Sequence, residues 1–189
     1  MSKVWFITGA GSGIGAGTAK AALKAGDRVV ATGRNVQKVR DALREVASDD
    51  LHVLPLDVSD EAQVTMAVDQ AVKKFGRIDV VLNTAGYSLL GNFEELGTQE
   101  IERQFATNFW GVLYVMRATL PVMRKQRSGH IINMSSVAGV VGLKLQRVQS
   151  EQIRRRGALT IRGRGNREVR HQGHGRGAGI LPHGPAGRD

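Results

Sequence analysis

A glycine-rich segment near the N-terminus, Thr8-Gly9-Ala10-Gly11-Ser12-Gly13-Ile14-Gly15, decides the fold of this chain. It follows a short β-branched and aliphatic run, residues 3–8, that predicts a strand, and it leads into a helical pattern over residues 13–25. Glycines at such a junction permit a tight turn and let a pyrophosphate approach backbone N–H groups at the helix N-terminus. The segment therefore predicts a strand–turn–helix unit suited to a nucleotide.

The remainder of the first 143 residues alternates between the same two kinds of pattern. Because right-handed βαβ connections put helices on both faces of a parallel sheet, this alternation predicts an α/β fold. We expect a Rossmann-like, doubly wound parallel sheet, incomplete at about five strands. The predicted strands are residues 3–8, 28–32, 51–56, 78–82 and 130–134; the predicted helices are 13–25, 36–47, 61–75 and 98–126, with Pro121 the candidate position for a break in the last.

Composition changes abruptly at Lys144. Residues 144–189 contain ten Arg and one Lys against three acids, so they carry +8 of the total charge of +10. They also contain nine glycines, no aromatic residue and no helical or strand periodicity. Such a segment cannot bury enough apolar surface to offset the entropy lost on ordering. The sequence thus predicts a nucleotide-binding domain over residues 1–143 and a disordered, basic Arg/Gly-rich tail over residues 144–189.

Several classes of protein are disfavoured by what the sequence lacks. It has no cysteine, which excludes a thiol nucleophile, and its five histidines are scattered apart from His171 and His174, so no metal site is predicted. No apolar run reaches the length of a signal-peptide core or of a membrane span. We therefore expect a cytoplasmic protein without a membrane partner.

The spacing Thr-Gly-x-x-x-Gly-Ile-Gly resembles the short-chain dehydrogenase/reductase family, and four further motifs follow in that family's order. Each alone could be an ordinary turn, cap or loop, but five ordered matches at predicted strand ends are not coincidence. The matches are Asp57-Val58 as an adenine-contacting pair, Asn83-Thr84-Ala85-Gly86 as the turn after strand four, Asn108 as the helix asparagine, and Ser136 as the catalytic serine. The resemblance implies cofactor contacts at Gly9, Ser12, Gly13, Ile14, Gly15, Asp57, Val58, Asn83, Ala85 and Gly86.

The segment after the second strand bears on the choice of cofactor. Dinucleotide folds that prefer NAD place an acid there for the ribose 2′-hydroxyl, whereas an arginine accommodates the 2′-phosphate of NADP. Residues 31–35 read Ala-Thr-Gly-Arg-Asn, without an acid and with Arg34 available. The alternative is that Arg34 is only a solvated residue at the start of a helix. The sequence favours NADP(H) over NAD(H).

The resemblance implies hydride transfer between a nicotinamide and a carbonyl or alcohol carbon. In the family a tyrosine exchanges the proton, helped by a lysine four residues later, while the serine polarises the carbonyl and the asparagine holds a water for proton relay. The tyrosine should lie about a dozen residues beyond Ser136, where this chain has Val148 and Gln149. The Tyr-x-x-x-Lys segment is therefore absent from its expected place.

No substitute pair exists elsewhere in the sequence. Its only tyrosines are Tyr87 and Tyr114, and the residues four positions later are Gly91 and Ala118. Since proton exchange needs the tyrosine and lysine together, we predict that this chain is catalytically defective.

A shift of reading frame near Lys144 would account for the loss. When residues 144–189 are read one base out of frame, synonymous codon choices permit the family's Tyr-x-Ala-Ser-Lys. The tyrosine falls across Val148/Gln149, the alanine across Ser150/Glu151, the serine across Glu151/Gln152 and the lysine across Gln152/Ile153. Pro-Gly is permitted across residues 178–180, at the distance expected for a sixth strand. We infer that the tail is out-of-frame translation.

Three functions remain open on sequence alone. The first is an NADP-dependent oxidoreductase of a small carbonyl or alcohol, represented here by a version truncated through its active site. The second is a non-catalytic nucleotide-binding module. The third is a nucleic-acid binder through the tracts at residues 154–156, 162–165 and 175–177; these lack stacking aromatics, so no specific nucleic-acid partner is predicted. The oligomeric state stays open on sequence alone: the resemblance allows a homo-oligomer of the intact form, because family assemblies commonly use the helix starting near Thr98 together with the helix carrying Tyr-x-x-x-Lys.

Overall fold

Five parallel strands form one sheet in the spatial order β3-β2-β1-β4-β5 in the computed structural model, which describes residues 2–136. They are β1 (Val4–Thr8), β2 (Arg28–Gly33), β3 (Leu51–Pro55), β4 (Val80–Asn83) and β5 (His130–Asn133). The doubly wound parallel sheet predicted from the alternating pattern is confirmed. The disordered tail predicted over residues 144–189 lies outside the described residues.

The central strand β1 is buried on both faces because its neighbours in sequence point into different cores. Phe6 packs in one apolar cluster with Val30 and Val81 of the adjacent strands, whereas Ile7 packs in a second cluster with Val29. This period-two alternation follows from strand geometry. Near-continuous β-branched and aliphatic runs are what a sheet covered on both faces requires.

Five α-helices lie within the described residues, and four of them form the two layers that cover the sheet. The helices are α1 (Gly13–Lys24), α2 (Val36–Leu43), α3 (Glu61–Phe75), α4 (Thr98–Phe105) and α5 (Gly111–Gln126). Helices α1 and α2 pack on one face through residues such as Ala19 and Leu43, and α3 and α5 pack on the other through residues such as Val68 and Val115. Short 3₁₀ turns cover Arg44–Val46 and Phe93–Glu95. No helix in this part of the chain is both long and apolar enough to cross a membrane.

Local chemistry explains where several of these helices begin and end. The Asn35 side chain accepts a hydrogen bond from the Lys38 N–H at 2.9 Å, and the Asp60 side chain accepts one from the Gln63 N–H at 3.0 Å. These are N-cap bonds, which satisfy amides that the first helical turn leaves unpaired. Gly76, with φ of 78°, ends α3 in the left-handed conformation that glycine adopts without strain.

The break expected near Pro121 was wrong. Helix α5 continues through Pro121, and the long predicted helix is instead interrupted by a π-helical segment, Ala106–Trp110. Pro121 has no N–H to donate to the Arg117 carbonyl. Both residues lie on the exposed side of α5, where water can hydrogen-bond that carbonyl. Contacts with residues distant in sequence determine where the π segment lies. Gly111, directly after it, is so close to Val58 that a Cβ at position 111 would lie 2.6 Å from Cγ2 of Val58.

Candidate functional site

The glycine turn after β1 is fixed against the turn after β4. Gly9 adopts φ of 69°, and a Cβ at this position would lie 2.9 Å from the backbone of Ala85. The Thr8 hydroxyl accepts hydrogen bonds from the N–H groups of Thr84 at 3.1 Å and Ala85 at 3.2 Å, and the Thr84 hydroxyl donates to the Thr8 carbonyl. The two turns therefore form one rigid edge where the carboxyl ends of β1 and β4 meet.

Helix α1 begins at this edge with unpaired backbone donors. Ser12 precedes the helix in an extended conformation, and its side chain makes no capping hydrogen bond. The amides of Gly13, Ile14 and Gly15 therefore have no partner within the helix, whose first turn contains no acid. Gly13 has φ of 55°, and a Cβ there would meet no atom within 4 Å, so open space lies beside it. A helix N-terminus of this kind suits an anionic group.

A cleft of about 570 Å³ lies over this edge, and we call it the glycine cleft. It is open to solvent and is lined by segments that follow β1, β2, β3, β4 and β5. All the predicted cofactor residues except Asn83 line it. Its full lining is Gly9, Gly11, Ser12, Gly13, Ile14, Gly15, Gly33, Arg34, Asn35, Lys38, Val39, Leu56, Asp57, Val58, Thr84, Ala85, Gly86, Tyr87, Thr107 and Met134.

One end of the cleft is basic. Arg34 and Lys38 are both exposed and both line it. Within residues 2–136, neither side chain forms an ion pair with an acid. Gly33 ends β2 beside them, and a Cβ there would lie 2.9 Å from Cγ2 of Val39, so an acidic side chain at this position would collide with the helix behind it. This end of the cleft therefore presents two unpaired cations and no carboxylate after β2.

Asp57 lines the middle of the cleft at the carboxyl end of β3. Its Oδ1 accepts hydrogen bonds from the Ser59 N–H at 3.0 Å and the Ser59 hydroxyl at 2.7 Å, which hold the carboxylate in a turn. Its backbone N–H donates to Oε1 of Gln63 at 3.1 Å. Val58 is buried next to it. Asp57 thus offers a fixed carboxylate, and Val58 offers an apolar contact, to a ring bound beside them in the cleft.

Asn83 lies below the cleft rather than in it. The side chain is 3% exposed, and its Nδ2 donates to Oδ1 of Asn133 at 2.8 Å. Its own Oδ1 is buried and has no hydrogen-bond partner in the described residues. The pair joins β4 to β5, and the Asn83 carbonyl also accepts from the Met134 N–H at 3.0 Å. The geometry makes Asn83 a brace between two strands that lead to the site.

The two predicted catalytic residues flank the cleft. Asn108 lies in the π segment, and its side chain bonds both backbone groups of Tyr87: Oδ1 accepts from the N–H at 3.1 Å and Nδ2 donates to the carbonyl at 2.8 Å. Ser136 is exposed, two residues beyond Met134, which lines the cleft. Neither residue itself lines the cleft, although their neighbours Thr107 and Met134 do.

Several residues of the site were missed by sequence reasoning, including the apolar side chains Val39 and Leu56. Lys38, Tyr87, Thr107 and Met134 line the cleft, but none was singled out. A basic residue one turn into the helix after Arg34 was a usable indication for Lys38. Thr107 and Met134 adjoin the predicted Asn108 and Ser136, and Tyr87 adjoins Gly86. No group of His, Asp and Glu side chains suited to a metal ion occurs among residues 2–136.

Comparisons with known proteins agree on the class. The family model described as short chain dehydrogenase matches residues 3–149. Oxidoreductase BOA17 from Botryotinia fuckeliana (strain B05.10) is 42% identical over 142 residues, which are 75% of this chain and 52% of that protein. The chain thus spans about half the length of this curated relative.

Solved structures are similar over the same region. A short-chain dehydrogenase from Streptomyces avermitilis has 35% identity and a TM-score of 0.71, with 75% of this chain and 52% of that one covered. ElxO with NADP bound has 36% identity and a TM-score of 0.71, with 77% of this chain and 60% of that one covered. With the family model matching well over half of its residues, the chain belongs to the short-chain dehydrogenase family.

Proposed function

We propose that residues 1–143 bind NADP(H) in preference to NAD(H), with the dinucleotide in the glycine cleft. The observation that carries the proposal is that the N-terminus of α1 and Arg34 line the same cleft. Unpaired N–H groups of α1 suit the pyrophosphate, and the unpaired Arg34 guanidinium suits a 2′-phosphate where β2 is followed by no acid. ElxO, which is 36% identical, has been solved with NADP bound.

The proposed reaction class follows from the family. A nicotinamide cofactor exchanges a hydride with the carbon of a small carbonyl or alcohol, and that is the chemistry we assign to the intact protein. In this chain, Asp57 and Val58 would contact the adenine, and Ala85 and Gly86 would line the path of the ribose beside the turn after β4. Ser136 would polarise the substrate carbonyl. Ser136 lies two residues beyond Met134, and Asn108 follows Thr107. Because Met134 and Thr107 line the cleft, these positions support the assignment.

We further propose that the 189-residue chain does not transfer hydride at an enzymatic rate. Its two tyrosines are Tyr87 and Tyr114, and neither has a lysine four residues later. Tyr87 lines the cleft, but the only side chains in residues 2–136 that hydrogen-bond it reach its backbone, not its hydroxyl. A phenol without the partner lysine lacks the group that assists its proton exchange in the family. The chain is then a nucleotide-binding module.

Fluorescence titration of the purified chain with NADPH and NADH tests the cofactor proposal. NADPH should bind about ten- to a hundredfold more tightly, the effect expected of one charge-assisted pair. Arg34→Asp should remove most of this preference, whereas Arg40→Asp, within α2 and outside the cleft, should leave it unchanged. Equal affinities for the two cofactors, or a preference that survives Arg34→Asp, would contradict the proposal.

The frame of residues 144–189 is a separate proposal with its own test. Sequencing the coding DNA through codon 144 and translating it in all three frames should reveal Tyr-x-Ala-Ser-Lys in an alternative frame. A tail whose other frames contain no Tyr-x-x-x-Lys at that place would overturn the frameshift.

We also propose that the intact protein self-associates through α4 and α5. Phe105 is 58%, Phe109 52% and Trp110 47% exposed, which is unusual for a cluster of large aromatic side chains. Trp110 stacks on Tyr114 with ring centroids 6.2 Å apart. Light scattering after size exclusion should show a dimer or larger species that Trp110→Ser dissociates and that Met66→Ser, at an exposed apolar residue on α3, does not. A monomer before mutation would contradict this.

A further inference from the structure

The basic end of the glycine cleft holds two cations rather than one. Arg34 precedes α2 and Lys38 lies in its first turn, four residues later. Both are exposed, both line the cleft, and neither is paired with an acid within the described residues. Asp41, the acid nearest to Lys38 along the helix, accepts a hydrogen bond from Nε2 of Gln37 at 2.8 Å. Lys38 thus has no ion-pair partner among the described residues.

The Lys38 stem is directed from α2 toward the glycine turn. A Cβ built at Gly11 would lie 3.4 Å from Cγ and 3.6 Å from Cδ of Lys38. The aliphatic part of the side chain thus lies against the second glycine of the turn, at the distance of an ordinary van der Waals contact. Because a lysine stem packs on apolar or backbone surface while its ammonium stays in water, Nζ lies at the cleft rather than along the outer face of α2.

The charge of the expected ligand exceeds what one guanidinium neutralises. A phosphate monoester carries about −1.5 to −2 charge at neutral pH, whereas the ribose 2′-hydroxyl of NAD carries none. One arginine leaves much of this charge unmatched at a site bordered by open solvent. A second, flexible point charge within reach would add to the discrimination between the two cofactors, because it interacts with the phosphate and hardly at all with the hydroxyl.

We propose that Lys38 is a second specificity-determining residue, binding the 2′-phosphate together with Arg34; this rests on the proposed preference for NADP(H). Gly11 takes part indirectly, since the Lys38 stem packs against it. The two cations act on one phosphate, so their effects on binding are coupled rather than independent.

Calorimetric titration with 2′,5′-ADP and 5′-AMP isolates the 2′-phosphate, since the probes differ in that group alone. Lys38→Gln should weaken 2′,5′-ADP about three- to tenfold and leave 5′-AMP within about twofold. Lys38→Arg should retain most of the affinity. Lys24→Gln, at the end of α1 and outside the cleft, removes the same charge and should change neither affinity. Lys38→Gln should weaken the binding of 2′,5′-ADP by a different factor in the Arg34→Gln variant than in the unchanged chain, because the two cations bind one phosphate.

The outcomes separate this inference from the cofactor proposal. If the unchanged chain binds 2′,5′-ADP no more tightly than 5′-AMP, both the NADP(H) preference and the role of Lys38 are overturned. If it prefers 2′,5′-ADP and Arg34→Gln weakens that preference, but Lys38→Gln matches the Lys24→Gln control, only the role of Lys38 is overturned. Circular dichroism of each variant checks that the fold is retained, as expected for exposed substitutions.

Discussion

The Asn108 side chain holds both backbone polar groups of Tyr87, accepting from its N–H at 3.1 Å and donating to its carbonyl at 2.8 Å. Gln104, one turn earlier, donates to the same carbonyl at 3.1 Å. The family resemblance gives Asn108 a water-holding role, which stays a prediction. What the geometry adds is that this amide fixes the turn after β4, directly beyond Gly86, where the chain forms one wall of the glycine cleft.

Replacing Asn108 with alanine should loosen that wall. Two neutral hydrogen bonds are lost, each contributing about 0.5 to 1.5 kcal/mol, and the exposure of Asn108 puts the expected loss in the free energy of unfolding at about 1 to 2 kcal/mol. Urea denaturation measures it. Asn92→Ala is the matched control, because Asn92 lies in the loop that contains Tyr87 and its side chain makes no capping hydrogen bond. Equal losses in the two variants would show that the Asn108 bonds do not stabilise the turn.

Alanine substitutions at two glycines of α1 should change the free energy of unfolding in opposite directions. A Cβ at Gly15 would lie 2.6 Å from the Gly9 carbonyl oxygen and 2.7 Å from Oγ1 of Thr84, whereas a Cβ at Gly17 meets nothing within 4 Å. Gly15→Ala should lower the free energy of unfolding by about 1 to 3 kcal/mol, the usual cost of overpacking. Gly17→Ala, in an exposed helical position, should raise it by about 0.5 to 1 kcal/mol. Thermal or urea unfolding of the pair measures both, and a stable Gly15→Ala would contradict the close approach.

His52 should make stability depend on pH. Burial, and then the nearby charge of Lys74, lower the pKa of His52 below its usual value. The ring also meets the Phe75 ring edge-on, with centroids 6.5 Å apart. Because the unfolded chain then binds a proton more readily than the folded one, His52 contributes stability above the usual histidine pKa of about 6.5, and this is lost as pH falls through the lowered folded value.

Urea midpoints of the unchanged chain and of His52→Gln between about pH 8 and about pH 5 test this. The variant should lose less stability across that window than the unchanged chain. Parallel curves would show that the burial of His52 has no consequence for folding.

The parts of the fold that sequence could predict are those set by local pattern. The turn between β1 and α1 is encoded by glycines next to a β-branched run, and the caps at Asn35 and Asp60 are short-range hydrogen bonds. The position of the helix break was not predictable in this way, because Pro121 is tolerated on an exposed face and the π segment depends on contacts with Tyr87 and Val58, distant in sequence.

The candidate site shows the same division. The residues in the glycine turn and Asp57 lie in contiguous motifs, and sequence placed them at strand ends. For Lys38, the only sequence indication is that a basic residue follows Arg34 by one turn; the direction of its stem depends on how α2 packs beside Gly11. Met134 joins the lining only because β5 pairs with β4, which places their carboxyl ends side by side.

We propose that this chain has the glycine cleft for the dinucleotide but lacks the tyrosine and lysine that exchange the proton. The most direct test is NADPH consumption by the purified 189-residue chain with a panel of aldehydes and ketones, at NADPH concentrations that titration has shown to saturate it. We expect NADPH to bind and the turnover number to lie at least about 10²-fold below the ordinary enzymatic value of about 10 s⁻¹, because general acid–base catalysis usually contributes a factor of at least that size. Carbonyl reduction at an ordinary rate by this chain would contradict the proposal.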